Sequence, residues 1–339
     1  MIWAAAEGCR VVDSEGRGYL DLTGGFGVAA LGHRNPRILE AWSRQPVVHA
    51  LGDLCDAEVT VELRRALRWP ARLGVTGEDA VEIALRTALL ATGRPGIVAF
   101  DGAYHGTGLL ALAATGFEAF RRPFEAWLPG PVYRREYGQD PGQLPDDAGC
   151  VIVEPVQGRA GCRVPPEGFL AHLRRRCDEA GALLVCDEIF CGLGRTGVVW
   201  RSEGIADVIC TGKALGGGLP LSAALFARAG LDGLWELGPE DVYTHTHVGN
   251  PLACAAALIV LEEVPGLLNR VKRAGERFEQ AGWHGAGLLR ARLGDWQEAR
   301  RRGVLVVPAG EGGRLIQATP PLVISDSELD EAFELLDGV

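Results

Sequence analysis

The chain has 339 residues, 47% hydrophobic and 23% charged. It is long enough to bury a large core, as one big domain with a smaller lobe or as two modest domains. A formal charge of -10 argues against nucleic acid or an anionic membrane as the main partner. Nine scattered cysteines, with no CxxC pair and no ligands at zinc-like spacing around Cys186 and Cys191, read as reduced thiols in a cytoplasmic protein. No basic stretch precedes an apolar core at the N-terminus, so no secretory signal is expected.

Residues 1–35 are glycine-rich with short strand-like pieces. The stretch TGEDAVEIALRTALLATG (76–93) predicts a helix, with Thr76 as N-cap and Asp79 as an acidic capping-box partner. Its free N–H groups and positive dipole end suit a phosphate, although the same residues would serve as a plain cap. GIVAF (96–100) reads as a strand, and Tyr104 in AYHG (103–106) follows it at a place where it could stack on a flat ring. CVIVE (150–154) and ALLVCDE (182–188) are two more strands. Between them, PPEGFLAHLRRRCDEAG starts at Pro165 and Pro166, carries a stripe of Phe169, Leu170 and Leu173, and stops at Gly181. Strand, helix and strand at this spacing imply a βαβ unit in a largely parallel sheet. DVICT (207–211) is a fourth strand. PLACAAALIVL (251–261) reads as a buried helix, too short to span a bilayer. Residues 265–339 carry a helix (267–281), strand-like pieces and a last helix at PPLVISDSELDEAFELL.

Ligands of open parallel sheets bind beyond the carboxyl ends of the strands. Three reactive side chains fall at such ends: Glu154, Asp187 and, two residues past DVICT, Lys213. The chain has two lysines against thirty-two arginines, so a lysine here invites a reading in which an amine is required. A lysine in a crowded apolar setting can lose its proton and act as a nucleophile, which a guanidinium cannot. Taken alone, each of the three could be a turn or cap residue. Lys272, in NRVKRAGERFEQ, has the look of a solvated helix face. Glycines 216–218 let backbone approach a ligand. GLGRTG (192–197) fits GxGxxG, but VVWRSEG after it makes no convincing helix. TGK (211–213) is no P-loop, because Ala214 stands where Ser or Thr should hold a metal.

Taken together, VVDSEGRGYLDLTGG, LGHRNP, TGEDAVEIALRTA, GAYHG, VEPVQG, CDEIFCGLGRTG, GKALGGGLP and GNPLACAAAL resemble, in order, the class III pyridoxal-phosphate (PLP) aminotransferases. These include ornithine, acetylornithine and ω-amino acid aminotransferases. The resemblance runs from about residue 7 to about 335. It implies an α/β fold of fold type I: a three-layer α/β/α large domain (36–264) with a mostly parallel sheet, and a smaller α+β lobe from 1–35 with 265–339. It implies that Lys213 holds PLP as an internal aldimine and shuttles a proton, and that Asp187 pairs with the pyridinium nitrogen. Tyr104 and Ile189 would cover the two ring faces, and backbone N–H groups of Gly77 and Glu78 would hold the phosphate. His105 and Glu154 match residues near the cofactor. Thr246 matches a threonine that reaches the phosphate of the other subunit, which implies a homodimer.

The sequence departs from the family in places. Glu78 puts an acid beside the phosphate site, which is unfavourable unless its side chain turns away. Phe190 stands where Gln is common. Arg159 stands where many members have glutamate, and Gln317 where they have a carboxylate-binding arginine. Either Arg314 substitutes, or the carboxylate-binding charge has moved to Arg159, or the substrate lacks an α-carboxylate there. The chain is also short for the family. A small-molecule amino donor and a keto acid or aldehyde acceptor are the expected partners. Racemase, aminomutase or decarboxylase chemistry would use the same Lys and Asp, and a decayed, non-catalytic homologue is the alternative outside enzymes.

Overall fold

The computed structural model describes residues 1–52, 54–235 and 243–339. Its first strands, β1 (Trp3–Glu7), β2 (Arg10–Asp13) and β3 (Gly18–Asp21), form an antiparallel meander. A central seven-stranded sheet follows. It contains β4 (Ala71–Gly74), β5 (Gly96–Phe100), β6 (Val132–Arg135), β7 (Ala148–Val153), β8 (Leu183–Asp187), β9 (Val208–Thr211) and β10 (Ser222–Phe226). Their order is β4-β10-β9-β8-β7-β5-β6, and β10 alone runs against the others. Every residue of β5, β7, β8, β9 and β10 is buried. This is why the sequence shows continuous apolar runs there instead of alternation: a sheet covered on both faces has no wet side.

The helices follow their local signals. Thr76 accepts a hydrogen bond from Asp79 N, and Asp79 accepts in return from Thr76 N at 2.8 Å, so the helix Gly77–Thr92 begins with a full capping box. It ends at Gly93, whose φ of 65° is the left-handed cap that glycine adopts at least cost. The crossover helix is Phe169–Ala180, stopped by Gly181 as expected. It starts three residues after Pro166, because the prolines only lead into its cap, Gly168.

One expectation differs. The two helices read at 251–261 and 267–281 are a single 30-residue helix, Pro251–Gln280, with Pro265 inside it. An interior proline costs about 3 kcal/mol. Continuous burial outweighs that cost: Val260 and Val264 before the proline, and Val271, Ala274 and Phe278 after it, all enter the core. The helix has the length and apolarity to cross a membrane, but Ala253, Cys254, Ala256 and Ala257 are packed inside the protein.

The chain ends close the fold. Strand β13 (Val304–Leu305) adds to β3 in parallel. A third sheet has the order β11 (His284–Ala286), β12 (Leu289–Leu293), β15 (Leu315–Ala318), β14 (Val307–Ala309). A single apolar cluster reaches from Leu20 and Leu22 through Phe100, Leu173 and Leu215 to Phe278, Leu322 and Leu336. Phe278 joins the long helix to the last one (Asp326–Leu335). Its ring lies edge-on to Trp283 at 5.4 Å and to Phe333 at 5.2 Å. Phe278→Ala should therefore destabilise the protein by about 3–5 kcal/mol, read as a lower denaturation midpoint.

Candidate active site

The carboxyl ends of β4, β5, β7, β8 and β9 converge on one pocket of about 240 Å³. Lys213 reaches it from an unusual backbone. Its φ is +40°, a left-handed conformation that side-chain-bearing residues seldom adopt and that is held against its cost by surrounding structure. The turn Lys213–Gly216 closes on Gly217. Glycine is required at 217 for packing as well as for its φ of 56°: a Cβ there would lie 2.8 Å from Ile38 Cδ1 and 3.0 Å from Ala256 Cβ. None of glycines 216–218 lines the pocket; Gly216 and Gly217 pack closely on Leu221, Ile38 and Ala256, while Gly218 faces open space.

Asp187, the last residue of β8, is buried. Its Oδ2 lies 2.8 Å from His105 Nδ1, and its Oδ1 accepts from Ile189 N at 3.1 Å. His105 is fixed in turn by its backbone N–H, which donates to Thr115 Oγ1 at 3.0 Å. Glu154, just past β7, accepts from Tyr104 N at 2.8 Å and Gly158 N at 3.2 Å. Burial pushes its carboxyl up to about 7, and the nearby Asp187 charge adds to this against the pull of His105 and the two N–H groups. Lys213 is half-buried and lines the pocket. Burial lowers the pKa of its amine, while Asp187 and Glu154 oppose that shift. The result is an amine that gives up its proton more readily than a surface lysine does.

At the phosphate-suited end, Glu78 does turn away. Its carboxylate accepts from Thr107 N (2.8 Å), Thr107 Oγ1 (3.0 Å) and Gly108 N (2.9 Å). The N–H groups of Gly77 and Glu78 have no acceptor among the described residues. Gly77 sits tightly over Ile189, where a Cβ would approach Cγ2 to 3.1 Å.

Of the residues read from sequence, Gly77, Glu78, Tyr104, His105, Glu154, Arg159, Asp187, Ile189 and Lys213 all line this pocket. Thr246 and Gln317 do not. Thr246 is exposed, and its carbonyl accepts from His49 Nε2. Gln317 is buried in β15, between Ala291 and Val307 on the neighbouring strands. Two aromatics carry more than the sequence indicated. Phe190 places its ring 4.4 Å from Lys213 Nζ, so the amine lies over an aromatic face. Phe120 lies edge-on to Tyr104 at 5.5 Å. A pattern reading treats both as ordinary apolar residues. GLGRTG forms turns with no helix after it, and its Arg195 is buried with Nη1 donating to the carbonyls of Leu288 and Pro320.

These parts fit PLP. The pocket offers an amine freed by burial, a buried carboxylate with a fixed orientation, an aromatic and an aliphatic wall (Tyr104, Ile189), and unspent N–H groups at a helix start.

Comparisons with known proteins agree. A profile of the family Aminotransferase class-III matches residues 1–281. The acetylornithine aminotransferase of Methanopyrus kandleri is 37% identical, over 98% of this chain and 92% of its own length. The putrescine aminotransferase of Pectobacterium atrosepticum is 38% identical, over 77% of this chain and 60% of its own. Among solved structures, the ornithine aminotransferase of Toxoplasma gondii superposes with a TM-score of 0.90 at 26% identity, covering 99% of this chain and 89% of that one. A PLP-bound amine transaminase from an uncultivated Pseudomonas species superposes with a TM-score of 0.89 at 25% identity, covering 99% and 94%.

Glu154 makes the ligand-free protein sensitive to pH. Its folded pKa of about 7 lies above the unfolded value, so the folded state holds this proton more tightly. The contribution is complete below about pH 4.5 and is lost as pH rises through about 7. Urea unfolding of wild type and Glu154→Gln across this range should show the wild type losing more stability with rising pH. Parallel profiles would show that folding does not raise the Glu154 pKa.

Proposed function

The chain belongs to the class-III aminotransferases, PLP-dependent enzymes that transfer amino groups, and on that premise we propose how its own residues do the work. The amino group passes from an amino acid or amine donor to a keto acid or aldehyde acceptor in two half-reactions. The observation that carries the reading is the meeting of Lys213, Asp187 and the start of the Gly77 helix in one pocket.

PLP supplies, when bound, a carbonyl for amine exchange and a conjugated ring that takes up electron density from the substrate's Cα. Lys213 holds the cofactor through Nζ and carries a proton at that atom. Burial lowers the pKa of that amine, so it gives up its proton more readily than a solvated lysine does. Asp187 would pair with the ring nitrogen of the bound cofactor, and His105 fixes the orientation of its carboxylate. The N–H groups of Gly77 and Glu78 take the phosphate. Tyr104 and Ile189 exclude water from the ring faces.

The working unit in this reading is a homodimer in the cytoplasm. Val48, Leu51 and Leu54 expose 85%, 67% and 60% of their surface. They flank His49, which bonds the carbonyl of Thr246 and lies with its ring 5.7 Å from that of His247. An apolar patch of this kind beside Thr246 supports contact with a second copy. All nine thiols are free and eight are buried, which suits a reducing compartment. Light scattering should give twice the 36.1 kDa of one chain, and Thr246→Ala should weaken PLP binding without changing that mass.

The central test is Lys213→Ala. Wild type treated with PLP and borohydride should carry one stable label at Lys213. The variant should carry none and should lose the donor half-reaction by at least about 10²–10⁴-fold. Label at Lys272 in the variant, with activity retained, would refute the assignment.

A further inference from the structure

We infer that Arg159 is the carboxylate-binding residue of this pocket, so that the substrates are amino acids and not simple amines. The inference rests on the aminotransferase reading and names its substrate class.

The pocket's charges leave Arg159 unspent. Of its two cationic side chains, Lys213 serves the cofactor. The three carboxylates are already satisfied: Glu78 by Thr107 and Gly108, Glu154 by Tyr104 and Gly158, and Asp187 by His105 and Ile189. Arg159 forms no ion pair among the described residues, although arginines such as Arg10, Arg37, Arg174 and Arg277 do.

Its guanidinium is nevertheless held in place. Cζ lies 4.8 Å from the ring centroid of Tyr104 and 4.8 Å from that of Phe120. Neither contact uses up a guanidinium N–H, and the planar fork of donors matches a carboxylate with two parallel hydrogen bonds. The backbone is pinned as well: Arg159 O accepts from Gly310 N at 3.1 Å, and the preceding Gly158 N is tied to Glu154. Arg159 thus lines the same pocket as Lys213 and Tyr104, with its cation held against the ring proposed to cover the cofactor. Gln317 cannot serve, being neutral, buried in β15 and outside the pocket. Arg159 and Arg314 are both exposed, but only Arg159 lines the pocket.

The test compares matched donors that differ only by a carboxylate: ornithine with putrescine, and N-acetylornithine with N-acetylputrescine. Single-turnover conversion of the PLP form is measured for wild type and Arg159→Gln. The variant should lose about 10–100-fold in kcat/KM toward the acid of each pair and stay within about threefold toward the amine. Arg159→Lys should recover only part of the loss, since an ammonium lacks the planar fork. Equal losses on both members, or equal use of both by wild type, overturn the inference. Glutarate, which cannot react, separates this idea from the proposed function. Perturbation of the bound-PLP absorbance by glutarate in wild type but not in Arg159→Gln supports the site even if no donor is turned over, in which case the aminotransferase assignment alone fails. Glutarate binding to both proteins equally, or to neither, removes Arg159 from the role.

Discussion

An amine and two carboxylates share one small, largely dry space, and much of the surrounding structure manages the consequences. Charges in such a setting are costly unless they are paired or neutralised. Asp187 is stabilised by His105 and a backbone N–H, while Glu154 takes the other course and keeps its proton to about neutral pH. Lys213, between them, is drawn toward the neutral form by burial and toward the charged form by its neighbours. Burial is the larger of these influences, so the net shift is toward the neutral amine. The parallel sheet makes the balance possible, because it delivers residues distant in sequence to one edge without exposing their backbone to water.

Four strands of the central sheet, β5, β7, β8 and β9, and the helices at Gly77, Phe169 and Asp326 were legible in sequence because each depends on local rules, whereas β4, β6, β10 and the helices Pro36–Ser43 and Glu58–Ala66 carried no signal that was read. Unbroken apolar runs marked strands covered on both faces, and Thr76 with Asp79 marked a helix start. The helix at Pro251 was misjudged as two because Pro265 is a local breaker, while the burial that overrides it, at Val260 and Phe278, is a tertiary fact. The pocket was legible in its chemistry and less so in its walls. Lys213, Asp187 and Glu154 stood at strand ends. The left-handed backbone of Lys213, the ring of Phe190 beneath its amine and the stacking of Arg159 on Phe120 depend on torsions and distant contacts that no residue pattern encodes.

The departures from the family pattern are compensated locally. Glu78 would repel an anion if it faced the helix start. It caps the loop at Thr107 and Gly108 instead, which leaves the helix N–H groups clear. Phe190 offers no hydrogen bond, yet its face interacts favourably with the lysine when that residue is charged. An acid and an aromatic at unexpected positions thus alter the surroundings of the site without removing any of its parts.

The Glu78 contact has a mechanical consequence. It fastens the loop that carries Tyr104 and His105 to the first turn of the Gly77 helix, through three hydrogen bonds to one carboxylate oxygen. Glu82, one turn further along, accepts from Leu110 N and Ala111 N and adds a second rivet. The helix start proposed to take the phosphate and the loop proposed to cover the ring are therefore tied together within the protein.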